Sequence, residues 1–420
     1  MISIITPVHS KITPYLQAAY NSLQEQTFSD WEWVIVLNNG GVVPFNIEDN
    51  RIKIVETFND NSEHNKIGRL KNFACSKAQG NIIVEFDGDD LLTEDALFKI
   101  QESFSDPEIA MVYSNHAEFN DGTWEPKVYG SYWGWESRDF IYKEHALKEM
   151  IAWPPNAQMM RSIHWAPNHV RAWRTKDYHA IGGHNVDLKT GDDHELNCRI
   201  YIAYGGNRIK HIDECLYIYR VHQQNSCITN NAEVQQQSLN NYLKYNRDMA
   251  VRWAKDEDLS LIDLGGRLNS WDDFTTVDLF DADVVTDLND SWPLSDNSVG
   301  VIRASHIFEH LKDSVHTMNE AYRVLAPGGW LFLEVPSTDG RGAFQDPGHV
   351  SFWNENSIWY YTNRDFARFI PDFEGRFQSS RVVTYFPTDF EEKHNIPIVQ
   401  ADLIALKEPY DKRPVGEVLI

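Results

Sequence analysis

The stretch Ile82-Ile-Val-Glu-Phe-Asp-Gly-Asp-Asp90 constrains this chain most. Its apolar run reads as one buried strand, which stops at the three carboxylates Asp87, Asp89 and Asp90. Like charges gathered at a strand end repel one another unless a cation or hydrogen bonds offset them. Oxygen donors of this type suit Mg²⁺ or Mn²⁺, which bind one or two carboxylates together with substrate phosphates. The plainer reading is a solvated turn with an Asp-rich helix cap.

The flanking sequence supports the first reading. The chain opens with Ile2-Ser-Ile-Ile-Thr-Pro-Val-His9, a short strand broken by proline, and a helix follows at roughly 14–26. Trp31-Glu-Trp-Val-Ile-Val-Leu-Asn-Asn-Gly40 reads as a second strand ending in a polar turn. Gly68-Arg-Leu-Lys-Asn-Phe-Ala-Cys-Ser-Lys-Ala-Gln-Gly80 reads as a basic helix with a glycine C-cap. Further on come Ile181-Gly-Gly-His-Asn185, Gly191-Asp-Asp-His-Glu-Leu196 with a helix to about Tyr204, and Leu216-Tyr-Ile-Tyr-Arg-Val-His222.

In this order, over residues 1–227, these motifs resemble the family 2 glycosyltransferases, which have the GT-A fold. The resemblance implies a nucleotide-sugar donor held by Thr6, Pro7, His9, Asn38, Arg69, Lys71 and Asp87. Asn38 stands where the family usually has an Asp against the base, and its amide still suits a uracil edge, so a UDP-sugar is expected. Lys71-Asn72 replaces the family's Arg-Asn pair. Asp89, Asp87 and His222 would hold the metal. Asp192-Asp193 replaces the usual Glu-Asp, with Asp193 as the catalytic base and Asp192 beside it. Single displacement with inversion at the anomeric carbon is likewise implied.

The residue types agree with that chemistry. A departing diphosphate develops negative charge that a divalent ion stabilises, and a carboxylate on the opposite face takes the proton of the attacking acceptor hydroxyl. Between the two acidic motifs lie Trp124, Tyr129, Tyr132, Trp133, Trp135, Trp153, Trp165 and Trp173. Aromatic faces can floor a sugar site or serve as core; two or three of these eight are expected to touch ligand.

From Asn230 to about Asp258 the chain is polar with apolar points at helical spacing, as in an amphipathic linking helix. Beyond it, Leu259-Ser-Leu-Ile-Asp-Leu-Gly-Gly266 and Phe274-Thr-Thr-Val-Asp278 read as strands. Val299–Ser305, a helix from about Ser314, and Leu331-Phe-Leu-Glu-Val-Pro336 follow. Strands alternating with helices imply a doubly wound sheet. This order resembles the class I S-adenosylmethionine-dependent methyltransferases. The resemblance implies that Gly265 and Gly266 let the backbone approach the cofactor, that Asp278 binds its ribose, and that Asp287 lies near its adenine. The first loop departs from the family: Gly265-Gly266-Arg267 replaces Gly-x-Gly and the segment up to Asp278 is short. An active methyltransferase and an inert descendant serving as a binding or scaffold module both remain open.

His306-Ile-Phe-Glu-His310 also has a zinc spacing, with both histidines on one face if helical. No metalloprotease context surrounds it, and His306, His310 and the more distant His349 are expected on the methyl-acceptor side or in local structure.

The length suits two cores. The expected organisation is α/β throughout: a GT-A nucleotide-diphospho-sugar transferase domain over 1–228, a linking helix over 229–257, and a smaller Rossmann-like methyltransferase domain over 258–420. No apolar run reaches the ~18 residues of a membrane span, and the opening segment reads as a core strand rather than a signal peptide. Cys75, Cys198, Cys215 and Cys227 show no metal-like pairing. A reduced cytoplasmic setting fits that usage. The net charge is −24. That makes nucleic acid an unlikely partner, since phosphate binding depends on Lys and Arg. The expected partners are a nucleotide-sugar and a glycan or glycoconjugate acceptor; cofactors are Mn²⁺ or Mg²⁺ and, for the second domain, S-adenosylmethionine. Oligomeric state is not legible.

Overall fold

The computed structural model describes residues 1–46, 48–57, 66–130, 134–160 and 167–408. It divides into two compact units, Met1–Met249 and Ala250–Ile420. The division falls inside the helix Asn231–Asp256 rather than at either end of the polar linking segment. Among the described residues, no helix is long and apolar enough to cross a membrane.

The first unit is built on one mixed sheet. Its strands are β1 (Ile2–Val8), β2 (Trp31–Leu37), β3 (Ile52–Glu56), β4 (Ile82–Glu85), β5 (Leu91–Leu92), β6 (Met111–Asn120), β7 (Pro126–Lys127), β8 (Ser137–Tyr142), β9 (His145–Met150), β10 (Arg171–Arg174) and β11 (Ile209–Val221). The main order is β3-β2-β1-β4-β10-β6-β11-β5, with β7 and the β8–β9 hairpin attached at β6. β1 to β4 are parallel, and β10 enters antiparallel between β4 and β6. Near-continuous apolar strands follow from burial on both faces: every residue of β4 is buried, and so is all of β1 except half-buried Pro7.

Pro7 has a positional reason. Pairing between β1 and β4 ends at Ile5–Glu85. Beyond that point β1 has only β2 as a neighbour, so a missing N–H is tolerated. The pairing stops there, at the carboxyl ends of the strands, the side on which open α/β sheets bind ligands. Helices Leu16–Gln24, Ile67–Ser76 and Asp192–Tyr204 carry apolar stripes against the sheet.

The second unit has a seven-stranded sheet, β14-β13-β12-β15-β16-β18-β17. These are β12 (Ser260–Leu264), β13 (Thr275–Asp278), β14 (Val284–Val285), β15 (Val299–Ser305), β16 (Leu325–Pro336), β17 (Phe377–Tyr385) and β18 (Ile398–Ala405). The first five strands are parallel, while β18 runs antiparallel to both β16 and β17. This is a Rossmann-like sheet with an antiparallel edge. Strict alternation of strands and helices does not hold. Turns alone join β12 to β13, β13 to β14 and β14 to β15, and helices such as Ser314–Val324 and Glu355–Thr362 come only after β15. Residues 265–274 are too few to cross back over the sheet through a packed helix.

Candidate functional site

The three carboxylates after β4 have three different environments. Gly88 lets the acidic turn approach the preceding segment, because a Cβ there would lie 2.9 Å from Ile12 Cγ2 and 3.0 Å from Leu16 Cδ1. Asp90 is fully buried; its oxygens accept from Tyr217 Oη at 2.8 Å and from the Arg220 amide at 2.7 Å. It is a scaffold group tying the turn to β11. Asp89 meets His222 Nε2 at 2.8 Å across 133 residues of sequence. His222 is held in place by Tyr15, whose ring stacks on it at 4.8 Å, and Arg220 Nε donates to the Asp89 carbonyl at 2.7 Å. Asp87 is half-buried, with His169 Nε2 3.6 Å from its carboxylate. Burial, opposed by Lys71 and reinforced by the charges of Glu85 and Asp89, pushes Asp87 up to about 7. A divalent cation there would offset that charge, but the Asp87 donor atom converges with those of Glu85 and His169, whereas Asp89 and His222 bond each other.

Behind the turn lies an ion network that the sequence did not reveal. Glu85, fully buried on β4, contacts Lys71 Nζ on one side and accepts from Arg171 Nε at 2.9 Å on the other. Arg171 stands opposite Glu85 in the β4–β10 register. Its Nη1 lies 2.9 Å from Asp193 Oδ2, and its Nη2 lies 2.7 Å from His169 Nε2. Lys71 also lies 3.4 Å from Asp192 Oδ2, which has His184 Nε2 at 3.6 Å. A third cation at Glu85 would face Lys71 and Arg171, so Glu85 is unsuited to ligate a metal even though it neighbours Asp87 and His169.

The network sets the charge states. Against burial, Arg171 and Lys71 hold Glu85 well below the usual carboxylate range and bring Asp193 to about 2. Burial raises Asp192 to about 6, with Lys71 opposing. Burial, with Arg171 adding to it, drops His169 to about 3; burial also drops His184 to about 3. Asp193 is therefore an ionised carboxylate at neutral pH, and it is less buried than Asp192. Both acids open the helix Asp192–Tyr204 after Gly191, which has φ +64°. Asn241 Nδ2 donates to the Gly191 carbonyl at 2.8 Å, and Tyr245 Oη donates to Glu195 Oε1 at 2.7 Å. The segment expected only to link the domains thus braces the acidic motif.

The expected donor residues divide similarly. Asn38 is 7% exposed and, among the described residues, its Oδ1 has no hydrogen-bond partner. Thr6 is fully buried, donating to the Phe86 carbonyl at 2.6 Å and accepting from Trp33 Nε1 at 2.8 Å. Its hydroxyl joins β1 to the acidic turn. Lys71 is likewise committed to Glu85 and Asp192, because the face of its helix that carries it is the buried one. Pro7, near the end of β1, and His9, just past it, are half-buried, and Arg69 is exposed. Of the eight aromatics, Trp173 is core, and Trp124 is stacked between Phe119 at 4.1 Å and His145 at 3.8 Å. Trp135 and Trp153 pack edge to face at 5.6 Å, and Tyr129 lies 5.1 Å from Trp135. Tyr132, Trp133 and Trp165 lie outside the described residues.

In the second unit, Gly265 follows β12 with φ +72°, and a Cβ there would lie 2.9 Å from Ile307 Cβ. Gly266 backs onto Asp263, where a Cβ would lie 2.6 Å from Cγ. Asp263 itself is buried against Arg303 Nη1 at 2.8 Å and accepts from the Trp271 amide at 3.1 Å. Arg267 lies over the Phe280 ring at 4.6 Å. Asp278 ends β13 beside the exposed Leu279 and Phe280. Asp287 is exposed in a turn, accepting from the Asn289 amide and Nδ2, each at 2.9 Å. His306 and His310 do not share a helical face: His306 sits at the strand end with φ +54°, and 308–310 form a single 3₁₀ turn.

Residues 3–166 match the Glycosyl transferase family 2 model, and residues 268–333 match the Methyltransferase domain model. The O-antigen biosynthesis protein RfbC of Myxococcus xanthus is 24% identical over 226 residues, covering 52% of this chain and 16% of that protein. The glycosyltransferase GlyG of Streptococcus pneumoniae is 22% identical over 230 residues, covering 52% of this chain and 70% of GlyG. The chain thus spans under a fifth of the length of RfbC. Among solved structures, residues 1–349 of S. aureus TarS in complex with UDP-GlcNAc are similar at 16% identity and TM-score 0.42, covering 60% of this chain and 70% of that one. The first half of the chain carries a family 2 glycosyltransferase domain and the second half a methyltransferase domain.

Proposed function

We propose that the first unit transfers a sugar from a nucleotide-sugar, a UDP-sugar in particular, to a hydroxyl of a glycan acceptor, with inversion at the anomeric carbon. The observation that carries this reading is the placement of two kinds of carboxylate on one ion network. Asp87 and Asp89 stand two and four residues beyond Glu85, and Asp193 is joined to Glu85 through Arg171. The unpartnered Asn38 Oδ1 at the end of β2 suits the imide N–H of a uracil. Asp89, His222 and Asp87 are the residues that would hold Mn²⁺ or Mg²⁺. Such an ion, when bound, compensates the charge of the departing diphosphate. Asp193, kept ionised by Arg171, accepts the proton of the attacking hydroxyl at its carboxylate. Asp192, Lys71 and His184 hold the helix start that aims it.

The test is donor turnover across a panel of nucleotide-sugars, with and without Mn²⁺. Turnover with a UDP-sugar should vanish in Asp89→Asn and fall by about 10²–10⁴-fold in Asp193→Asn with donor affinity retained. Full turnover in excess chelator would remove the metal from the mechanism. Loss of donor binding in Asp193→Asn would make that residue a donor-site group instead.

For the second unit we propose S-adenosylmethionine binding at the carboxyl ends of β12 and β13 and methyl transfer to a glycan hydroxyl. The φ of Gly265 and the exposed apolar Leu279 and Phe280 beside Asp278 support it. The competing reading, an inert binding module, is favoured by the lock of Arg303 on Asp263 and the helix-free first loop. Calorimetry of the full chain with S-adenosylmethionine separates them: heat that Asp278→Ala abolishes supports the first, and no heat at millimolar ligand leaves the second.

A further inference from the structure

We propose that Glu309, His310 and His349 form a divalent transition-metal site in the second unit, separate from the acidic turn of the first. The donor atoms of the three side chains lie within 4.8 Å of one another. One carboxylate and two imidazoles make a set that zinc, manganese and ferrous sites use, with coordination positions left over for oxygen ligands.

Two features show a built site. First, Glu309 is 2% exposed, and among the described residues its Oε2 has no hydrogen-bond partner. Its Oε1 lies 3.3 Å from His306 Nδ1. A buried carboxylate left in that state is costly unless a cation completes it. Second, both ligand imidazoles are oriented from behind. His310 Nδ1 lies 3.0 Å from the Gly348 carbonyl, and His349 Nδ1 lies 2.9 Å from the Ala343 carbonyl. A carbonyl only accepts, so each ring places a proton on Nδ1 and leaves Nε2 as the atom that would ligate; His349 Nε2 lies 3.9 Å from Asp346 Oδ2. Backbone carbonyls fix metal-ligating histidines in this way.

The backbone holds the two segments together without the ion. The Glu309 carbonyl accepts from the Val350 amide at 2.8 Å and the Ser351 amide at 3.1 Å. The loop 346–351 is thereby fastened to the turn after β15. Gly348 fits closely there, since a Cβ would lie 3.1 Å from Asp346 Oδ1 and 3.3 Å from His310 Nδ1. The site stands just past β15, and Ile307 of the same turn touches Gly265. That places the ion at the carboxyl ends of β12 and β15, where its open positions suit hydroxyl oxygens of a sugar. This last assignment rests on the methyltransferase reading; the metal site itself does not.

The experiment uses the full chain, stripped with chelator, in an Asp89→Asn background that removes the other candidate ion. Co²⁺ is titrated and followed by visible absorbance, with Zn²⁺ competition. One Co²⁺ per chain should bind, with d–d bands. His349→Ala and Glu309→Gln should each weaken it by at least about 10–100-fold, the size seen when even supporting groups of a metal site are lost. Circular dichroism confirms the fold, and the near-isosteric Glu309→Gln guards against a folding failure in His349→Ala. Absent binding, or binding with unchanged affinity and spectrum in both variants, overturns the proposal. Because no S-adenosylmethionine is present, the result is independent of whether that cofactor binds.

Discussion

Arg171→Met is the most informative perturbation of the first unit. Arg171 is 1% exposed and bonds Glu85, Asp193 and His169 at 2.9, 2.9 and 2.7 Å, and the Pro167 carbonyl at 3.3 Å. Methionine replaces its volume and none of these bonds. Glu85 would remain buried with Lys71 as its single cation, and Asp193 would lose its close partner. Removing one member of a buried ion set costs about 3–5 kcal/mol, and the two stranded acids place this case toward the upper end. For a unit of this size about 2–4 °C is lost per kcal/mol, so the first unit should melt about 6–20 °C lower. The double variant Arg171→Met with Glu85→Gln should recover part of that loss, because the stranded buried charge is gone. Thermal melts of the full chain, wild type, both singles and the double, make the cycle. Asp193 should also lose its depression, so the acid limb of the turnover profile should move to higher pH. A single variant that melts within about 2 °C of wild type, or a double no better than the single, would refute the reasoning.

Asp90→Ala should destabilise by about 1–3 kcal/mol, because it strands the buried Tyr217 hydroxyl and Arg220 amide; Asp89→Asn should leave the melt nearly unchanged while abolishing metal-dependent turnover. Asn38→Ala should weaken UDP binding about 2–10-fold by calorimetry, the worth of one hydrogen bond, with little change in melting since among the described residues its Oδ1 has no partner to lose. His184 sits at about 3 in the fold against 6.5 in an unfolded chain. The unfolded state therefore takes up the proton first, and stability falls as pH drops from 6.5 toward 3, by at most about 1.4 kcal/mol per pH unit from this group. Chemical denaturation of His184→Gln across that window should show a shallower decline, and an unchanged slope would reject the buried neutral imidazole.

What the sequence made legible was set by local pattern. Ile82–Glu85 is a strand because it is apolar, short and stopped by acids, and Asp192–Tyr204 is a helix with acids at its start; both are visible in a window of ten residues. The partner of Glu85 was not, because Arg171 reaches it only through the antiparallel insertion of β10 beside β4. The signal was nonetheless present: a glutamate inside an apolar strand must find a cation. The separate roles of Asp87, Asp89 and Asp90 depend on β11, more than a hundred residues later, so three like letters in one turn could not reveal them. The His306–His310 spacing misled for a related reason. Its i, i+4 reading assumes a helix, whereas a strand end with positive φ is followed by one 3₁₀ turn, and the residues whose donor atoms converge are Glu309, His310 and His349.

The ion network also explains why a lysine replaces the more familiar arginine-type donor contact at position 71 without leaving a gap. Buried ion pairs are weak sources of stability, since desolvation offsets much of their attraction. Five charged groups held inside one unit therefore ask for a positional reason. Here the reason is geometric. The acids after β4 and the acids that open the helix Asp192–Tyr204 come from segments far apart in sequence, and productive geometry tolerates errors of only about 0.5 Å. Glu85 lies two residues before Asp87 on a rigid strand, and Arg171 spans from Glu85 to Asp193 with both contacts at 2.9 Å. Lys71 closes the other side, from Glu85 to Asp192. Two cations thus fix the spacing between the acidic turn and the start of the helix Asp192–Tyr204, which a pair of loops packed through apolar contacts alone would leave loose. On that view Lys71 is a positioning residue, and Lys71→Met should lower turnover with little effect on the affinity for UDP.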